Sequence, residues 1–332
     1  MLISKPSYFD DFHCIASLCP DSCCKEWDVQ VDEDMARFYL TLPGPLGDRL
    51  REVVKEDDGE MVMTITDGRC PMWRSDGLCR IQAELGEESL CRTCREFPRL
   101  THDYGDFIER GLELSCPEAA RIILSAPPAP FVCEEIPGGA EAEYDTDAMA
   151  VLKKTRATAL ALTADPSCTV REMLCLLLLY GYQAQGELDG EDILPFDAAA
   201  AMETIRDFAK DGNFQDILDF FAGLEILTAQ WQERLDRPGT PAFPESTRNL
   251  ARYFVERYWL QAVSDYDLAC RVKFTVISCL MICSLGGSFP ETAQLYSKEI
   301  ENSWENVEAL LDGAYSHPAF TDEKLLGILM NS

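Results

Sequence analysis

The chain has 332 residues, of which 47% are hydrophobic and 10% aromatic, and it carries a formal net charge of −29. These values exclude a largely disordered chain and argue against a nucleic-acid-binding protein, which needs positive charge to displace counterions from phosphate groups. They also disfavour binding to an anionic membrane surface, whereas a basic or lysine-bearing protein partner would be attracted.

The sequence predicts neither a signal peptide nor a membrane-spanning segment. The first fourteen residues lack an apolar core, and the longest apolar runs, 173–182 and 274–285, are shorter than a membrane span. We therefore expect a cytoplasmic protein. In that reducing compartment, clustered cysteines indicate metal or redox chemistry more often than disulfides.

The first third of the chain is predicted to mix short strands and helices. Residues up to Cys24 are interpreted as irregular loop, because Pro20 and Ser22 interrupt any periodicity. Alternating apolar and polar residues predict strands at 27–32, 61–66 and 107–114. Helices are expected at 33–42 with Asp32 as N-cap, and at 46–55, 78–86, 87–97 and 118–124.

The remaining two thirds are predicted to be helical. Residues 126–145, rich in proline, glycine and acidic side chains, are interpreted as a linker. Helices are expected at 146–163, 169–184, 196–210, 212–235, 245–264, 267–284, 290–312 and 319–330, with capping boxes at Thr169–Glu172 and Ser288–Glu291. We predict a mainly α fold, with a small metal-pinned α+β N-terminal domain (1–125), the linker (126–145) and a helical C-terminal domain (146–332).

Nine of the fifteen cysteines lie in the first 116 residues, in short and uneven spacings. Thiolates are soft ligands that favour zinc or iron–sulfur clusters. A proline follows Cys19, Cys70 and Cys116, which favours extended backbone and lets each thiol face a shared pocket. The predicted metal ligands are Cys14, Cys19, Cys23, Cys24, Cys70, Cys79, Cys91, Cys94 and Cys116.

The number of metal centres and the metal are open at this point. A tetrathiolate zinc site and a four-iron cluster each need about four cysteines, so nine suit either two centres or one centre with spare buried thiols. The adjacent Cys23 and Cys24 would serve neighbouring centres, because successive side chains diverge. Cys91 and Cys94 are expected side by side on one helix. Cysteines in apolar helices, such as Cys175 and Cys279, are expected to act as small hydrophobic residues.

Six arginines and no lysine lie between Arg69 and Arg99. Guanidinium groups compensate the negative charge of a thiolate cluster or bind a carboxylate bidentately. Most of the six are expected to pair with nearby glutamates at the surface. Arg95 and Arg99, which flank Phe97 and Pro98, are predicted as cofactor-binding residues.

The cysteine motifs resemble those of the flagellin lysine-N-methylase family, and the double cysteine also resembles a broader zinc- or iron-chelating cysteine-cluster family. The matching stretches are residues 12–27, 70–80, 85–99 and 114–121, with a weaker similarity at 249–285. The resemblance implies methyl transfer from S-adenosylmethionine to lysines of flagellin, dependent on a 4Fe–4S cluster.

The residues themselves predict a metal site, but they do not predict a binding site for the methyl donor. The sequence contains no glycine-rich loop of the kind that holds such a cofactor, and no catalytic base is identified. One hypothesis is that an open iron position binds the donor's amino and carboxylate groups with the help of an arginine. The alternative is a zinc- or iron-chelating protein without catalytic activity.

Overall fold

Two hydrophobic cores organise the part of the chain that the computed structural model describes, which is residues 1–25, 29–57, 59–210 and 212–331. The smaller core contains Val29, Tyr39, Leu50, Met63 and Met72. The larger core joins an N-terminal sheet to the long helices. The predicted mainly α fold with a small strand-containing part is confirmed.

The strands and the short helices between them lie in the first 135 residues. The strands are β1 (Leu2–Lys5), β2 (Val29–Gln30), β3 (Val54–Asp57), β4 (Glu60–Met63), β5 (Arg99–Asp103), β6 (Phe107–Leu112) and β7 (Val132–Glu135). The helices are α1 (Glu33–Thr41), α2 (Gly44–Val53), α3 (Arg80–Leu85), α4 (Arg92–Glu96) and α5 (Pro117–Ser125).

The strands form two sheets. The four-stranded sheet has the order β5-β6-β1-β7, in which β1 is parallel to β6 and antiparallel to β7. The three-stranded antiparallel sheet has the order β2-β4-β3. Parallel neighbours need a long crossover. Here that crossover from β1 to β6 contains the whole smaller core.

Several N-terminal predictions are confirmed and one is wrong. The strands expected at 61–66 and 107–114 are β4 and β6, and Asp32 caps α1 by accepting from the Met35 N–H. The strand expected at 27–32 is found as β2, while residues 26–28 lie outside the described residues. The first residues are not irregular loop throughout, since β1 pairs with strands more than a hundred residues away.

The rest of the chain is helical. Its helices are α6 (Thr146–Ala164), α7 (Val170–Leu188), α8 (Ala198–Phe208), α9 (Phe214–Ala222), α10 (Ala229–Asp236), α11 (Thr247–Tyr258), α12 (Leu268–Ser284), α13 (Phe289–Tyr296), α14 (Trp304–Ser316) and α15 (Asp322–Asn331). Helix α12 is buried on nearly all sides and packs against α7, α11 and α14, so it forms the centre of this part.

Two long helices expected from the sequence are interrupted. The region 212–235 divides into α9 and α10, where Gly223 ends α9. The region 290–312 is interrupted by a π-helical turn, Ser297–Glu301, between α13 and α14. Such turns redirect side chains and are often found at functional sites.

The larger core contains residues from both sides of the segment predicted as a linker, for example Ile123 and Leu152. That segment also contains β7. The domain boundary at 126–145 stays a prediction. None of the described helices combines the length and the apolar character that a membrane crossing requires.

Candidate functional site

The cysteines predicted as metal ligands lie in loops and at helix starts. Cys79, Cys91 and Cys116 directly precede α3, α4 and α5 in extended backbone conformation. Cys19 is also extended, so the effect predicted for the prolines after Cys19 and Cys116 is confirmed. The helix expected at 87–97 is shorter than predicted, because α4 begins only after Cys91.

Five of the nine thiols belong to the smaller core, and we call them the core thiol group: Cys24, Cys70, Cys79, Cys91 and Cys94. The Cys70 N–H donates to the Cys24 carbonyl at 2.8 Å, which joins two cysteine-bearing loops. Hydrogen bonds from the thiols of Cys23 and Cys70 lower the pKa of Cys24. The neighbouring Cys94 thiol likewise lowers the pKa of Cys91. Negative charge on sulfur is therefore stabilised at two positions of this group.

The other four thiols form the loop thiol group: Cys14, Cys19, Cys23 and Cys116. Burial, together with the nearby Cys19 and Cys14, raises the pKa of Cys116 to about 11. Contact with the Cys24 thiol raises the pKa of Cys23, to which Cys14 and Cys116 also contribute. The four residues, three from the first loop and one from the start of α5, are thus electrostatic neighbours.

The two thiol groups meet at Cys23 and Cys24. Cys23 is affected by the loop thiols Cys14 and Cys116, whereas Cys24 is hydrogen-bonded to Cys70 in the smaller core. The two side chains also interact with each other. The sequence predicts that the adjacent Cys23 and Cys24 serve neighbouring metal centres. In the structure the two residues fall in different but adjoining thiol groups, and the centres themselves stay a prediction.

The described residues contain no preformed metal site. Within 1–25, 29–57, 59–210 and 212–331, no three His, Cys, Asp or Glu side chains converge closely enough to hold a metal ion. The donor chemistry nevertheless fits a soft metal, because both groups consist of thiols. The nine cysteines as ligands, and the number of centres, stay predictions.

Outside the two groups, four of the six cysteines are small core residues: Cys175, Cys270, Cys279 and Cys283. Cys175 and Cys279 are completely buried, and Cys283 is nearly so. Burial raises the pKa of Cys175 to about 12, which keeps its thiol neutral.

Polar contacts with the C-terminal helices hold the loop thiol group in place. Asp21, between Cys19 and Cys23, accepts from Lys298 at 2.9 Å and from the Gln294 amide at 3.1 Å. The same amide donates to the Ser115 carbonyl at 2.8 Å, directly before Cys116. One side chain of α13 therefore fixes both loops that supply these thiols. Sequence reasoning missed these contacts, since no local pattern links positions so far apart.

The arginines of residues 69–99 have different surroundings. Arg80 pairs with Glu84 at 3.1 Å and Arg74 with Asp76 at 2.6 Å, so within the described residues the glutamate pairing expected for most of the six is found for Arg80 alone. Arg69 lies over the Trp73 ring, with its guanidinium carbon 4.5 Å from the centroid. Arg95 is exposed on α4, whereas the exposed Arg99 lies over the Phe12 ring and lines a cavity. The cofactor-binding role of both residues stays a prediction.

This cavity, of about 400 Å³, lies between the cysteine-bearing part and the C-terminal helices. It is lined by Arg92, Thr93, Glu96, Phe97, Arg99, Glu113, Arg257, Glu301 and Asn302. The fully buried Glu301 side chain accepts from the Arg257 guanidinium at 3.1 Å and from the Tyr258 hydroxyl at 2.8 Å. Glu113, Arg257 and Glu301 were not predicted from the sequence. The only pointer was the weak similarity at 249–285, which includes Arg257.

Comparison with known proteins gives matches to bacterial flagellar and methylase proteins. The flagellar biosynthetic protein FliU of Salmonella muenchen is 34% identical over 134 residues, which are 38% of this chain and 79% of FliU. Two lysine-N-methylases, from Salmonella typhimurium and Salmonella choleraesuis, are 33% and 31% identical over 140 residues. No protein-family model matches the chain. No solved structure matches it either.

The extent of these matches differs between the relatives. The aligned 140 residues are 40% of this chain but only 35% of each lysine-N-methylase, so about a third of those proteins is matched. FliU is matched over most of its length. The chain therefore belongs to the family indicated by its cysteine motifs, the flagellin lysine-N-methylases.

Proposed function

We propose that this protein is an S-adenosylmethionine-dependent lysine N-methyltransferase that acts on flagellin and depends on cysteine-ligated iron–sulfur. The observation that carries the proposal is the match to two proteins named lysine-N-methylase. The relation to a flagellar biosynthetic protein supports flagellin as the substrate. The net charge of −29 favours encounter with lysine-bearing surfaces.

The two thiol groups would each hold an inorganic centre. Four thiols are available in the loop thiol group and five in the core thiol group, which is enough for one four-thiolate site in each. A bound 4Fe–4S cluster would supply an iron that binds donor atoms when one of its positions is open, and it would fix the loops that border the cavity. Zinc in the same thiol groups is the alternative.

The methyl transfer involves no net oxidation or reduction. A lysine amine that has lost its proton attacks the methyl carbon of the donor sulfonium, the carbon–sulfur bond breaks, and a neutral thioether leaves. The methylated nitrogen then releases a proton to return to the amine. The acceptor must therefore be deprotonated before attack, which a desolvated site favours.

The direct test uses anaerobically purified protein, flagellin and S-adenosylmethionine, followed by mass spectrometry of flagellin peptides. We expect methyl groups on lysines with the native protein and with Cys133→Ser, since Cys133 is exposed on β7 away from both thiol groups. Cys24→Ser should abolish methylation. Unmodified flagellin in the presence of metal-loaded native protein would exclude the methylase activity.

A zinc- or iron-chelating protein without catalytic activity is the second candidate. It is favoured by the limited match, which leaves about two thirds of each lysine-N-methylase without a counterpart in the alignment. In that case the metal content should respond to cysteine substitutions while flagellin stays unmodified.

A further inference from the structure

The cavity beside α4 combines both signs of charge in one place. Its inner wall contains Glu113, Arg257 and Glu301, and its outer part contains the exposed Arg92, Glu96 and Arg99. The volume of about 400 Å³ is within the range of small-molecule sites. A ligand that fills it must therefore satisfy separated positive and negative side chains.

The inner wall has an excess of negative charge. Glu301 is completely buried and is held by Arg257 at 3.1 Å and by the hydroxyl groups of Tyr253 and Tyr258. Glu113 adds a second carboxylate, which accepts from the Ser115 hydroxyl at 2.8 Å. One guanidinium thus faces two carboxylates. A cationic group of a ligand would balance this charge.

The outer part carries two positive charges and one negative charge. Arg92, Glu96 and Arg99 are exposed, and the Asp32 carboxylate accepts from the Arg92 N–H at 2.7 Å. Among the described residues, no carboxylate lies within ion-pair distance of either guanidinium. The guanidinium of Arg99 is positioned by the ring of Phe12, 5.1 Å away. Arginine forks bind a carboxylate through two parallel hydrogen bonds. In a chain with a net charge of −29, two exposed arginines against one glutamate at the rim of a cavity favour an anionic ligand group.

We propose that this cavity binds the aminocarboxylate end of the methyl donor S-adenosylmethionine. The donor's carboxylate is bound by Arg92 and Arg99, and its ammonium group faces Glu113 and Glu301. An α-amino acid carries both charges on one carbon, which matches a cavity with an acidic wall and a basic rim. This inference rests on the proposed function, because that function requires the donor.

The position of the cavity agrees with this assignment. Arg92 lies between Cys91 and Cys94 of the core thiol group, and Glu113 lies three residues before Cys116 of the loop thiol group. The donor would therefore be held next to chain segments that carry thiols of both groups. Its sulfonium end would extend from the cavity towards the acceptor.

Isothermal titration calorimetry under anaerobic conditions tests the proposal with two ligands. S-Adenosylmethionine contains the aminocarboxylate, whereas 5′-methylthioadenosine has the same nucleoside and lacks it. We expect Arg99→Gln to weaken S-adenosylmethionine binding roughly 10- to 100-fold, the effect of losing a charge-assisted hydrogen-bond pair. The affinity for 5′-methylthioadenosine should stay within about twofold of the native value, because no charged ligand group is involved.

Matched variants make the result specific. Arg92→Gln should behave like Arg99→Gln, whereas Arg49→Gln, an exposed arginine on α2, should bind both ligands as the native protein does. Thermal melting shows whether each variant is folded. Unchanged S-adenosylmethionine affinity in Arg92→Gln and Arg99→Gln, or an equal loss for both ligands, overturns the cavity assignment. If a variant with such a result still methylates flagellin, the proposed function is supported and only the cavity assignment is wrong. Native protein that binds neither ligand contradicts the proposed function together with this inference.

Discussion

Lys298 and Asp21 form an ion pair of 2.9 Å although 277 residues separate them along the chain. The pair joins the loop between Cys19 and Cys23 to the π-helical turn after α13. Both side chains are largely buried, with 11% and 23% of their surface exposed. The loop thiol group is therefore positioned by the C-terminal helices rather than by its own short loop.

Replacing Lys298 by Met should lower the free energy of unfolding by about 1–3 kcal/mol, because within the described part of the chain Asp21 keeps only Lys25 as a charged partner. Burial alone would raise the pKa of Asp21, but Lys298 and Lys25 outweigh burial and hold that pKa below its usual value. The stabilisation is therefore complete above about pH 4 and is lost as the pH falls through the pKa of the folded state.

Urea denaturation at neutral pH and near pH 3 measures this effect. Lys55→Met is the matched control, since the exposed Lys55 donates only to a backbone carbonyl. A destabilisation of Lys298→Met that is as large at pH 3 as at pH 7 would contradict the role of the ion pair.

Arg156 and Glu109 connect α6 to the four-stranded sheet through two hydrogen bonds of 2.7 Å, and both are buried. Arg156→Met should destabilise the fold by about 3–5 kcal/mol, because it leaves a buried carboxylate without its partner. The bidentate pair of the exposed Arg121 and the partly buried Glu118 is the control, and Arg121→Met should cost at most about 1 kcal/mol. Chemical denaturation of both variants measures whether losing the buried pair lowers the free energy of unfolding more than losing the more exposed pair.

Thr169 and Ser288 test how far a sequence motif predicts a cap. Both begin a Ser/Thr-x-x-Glu pattern, but only Thr169 forms the reciprocal hydrogen bonds with Glu172. Thr169→Ala should therefore cost about 1 kcal/mol in thermal or urea denaturation, and Ser288→Ala should cost a few tenths at most. Equal losses would show that the Ser288 cap forms in solution.

These elements show which features can be predicted from local sequence. Helix α1 with its Asp32 cap, the Thr169 capping box and the apolar helix α12 each depend on residues within one or two turns, so their patterns were sufficient. The cysteine motifs also identified the family correctly.

Features formed by distant residues could not be predicted in this way. Strand β1 has only four residues and is stabilised by pairing with β6 and β7, so no local alternation reveals it. The cavity brings together Arg99 and Glu301, two hundred residues apart in the chain. Charge patterns within one helix do not specify such contacts, because they depend on how the helices pack.

We predict a second pH effect on stability, at Glu256, with the opposite sign to the effect of Asp21. Burial raises its pKa to about 7, although the Arg252 guanidinium lies 3.7 Å from its carboxylate and the Tyr8 hydroxyl donates to it at 3.0 Å. The folded state therefore binds a proton more tightly than the unfolded state, whose glutamate titrates at about 4. The stabilisation is present below about pH 4 and is lost as the pH rises to about 7.

Glu256→Gln removes this titration and keeps the contact with Tyr8. Relative to the native protein, we expect the variant to gain about 2–4 kcal/mol of unfolding free energy between pH 4 and pH 7. Glu203→Gln, an exposed position on α8, should follow the native pH profile. Parallel profiles for native protein and Glu256→Gln would refute the assignment.

The two thiol groups make a prediction about metal content. If each holds its own centre, Cys116→Ser leaves three of the four loop thiols, and the combined substitution Cys70→Ser and Cys79→Ser leaves three of the five core thiols. Each of these two variants should therefore lower the bound iron and sulfide, or zinc, by about half. A variant with all three substitutions should then lose nearly all of it. Elemental analysis after anaerobic purification measures this, with the exposed Cys133→Ser as the control. Complete loss in either of the first two variants would instead indicate one shared centre, which would draw its ligands from the smaller core and the first loop together at Cys23 and Cys24, where the two groups meet.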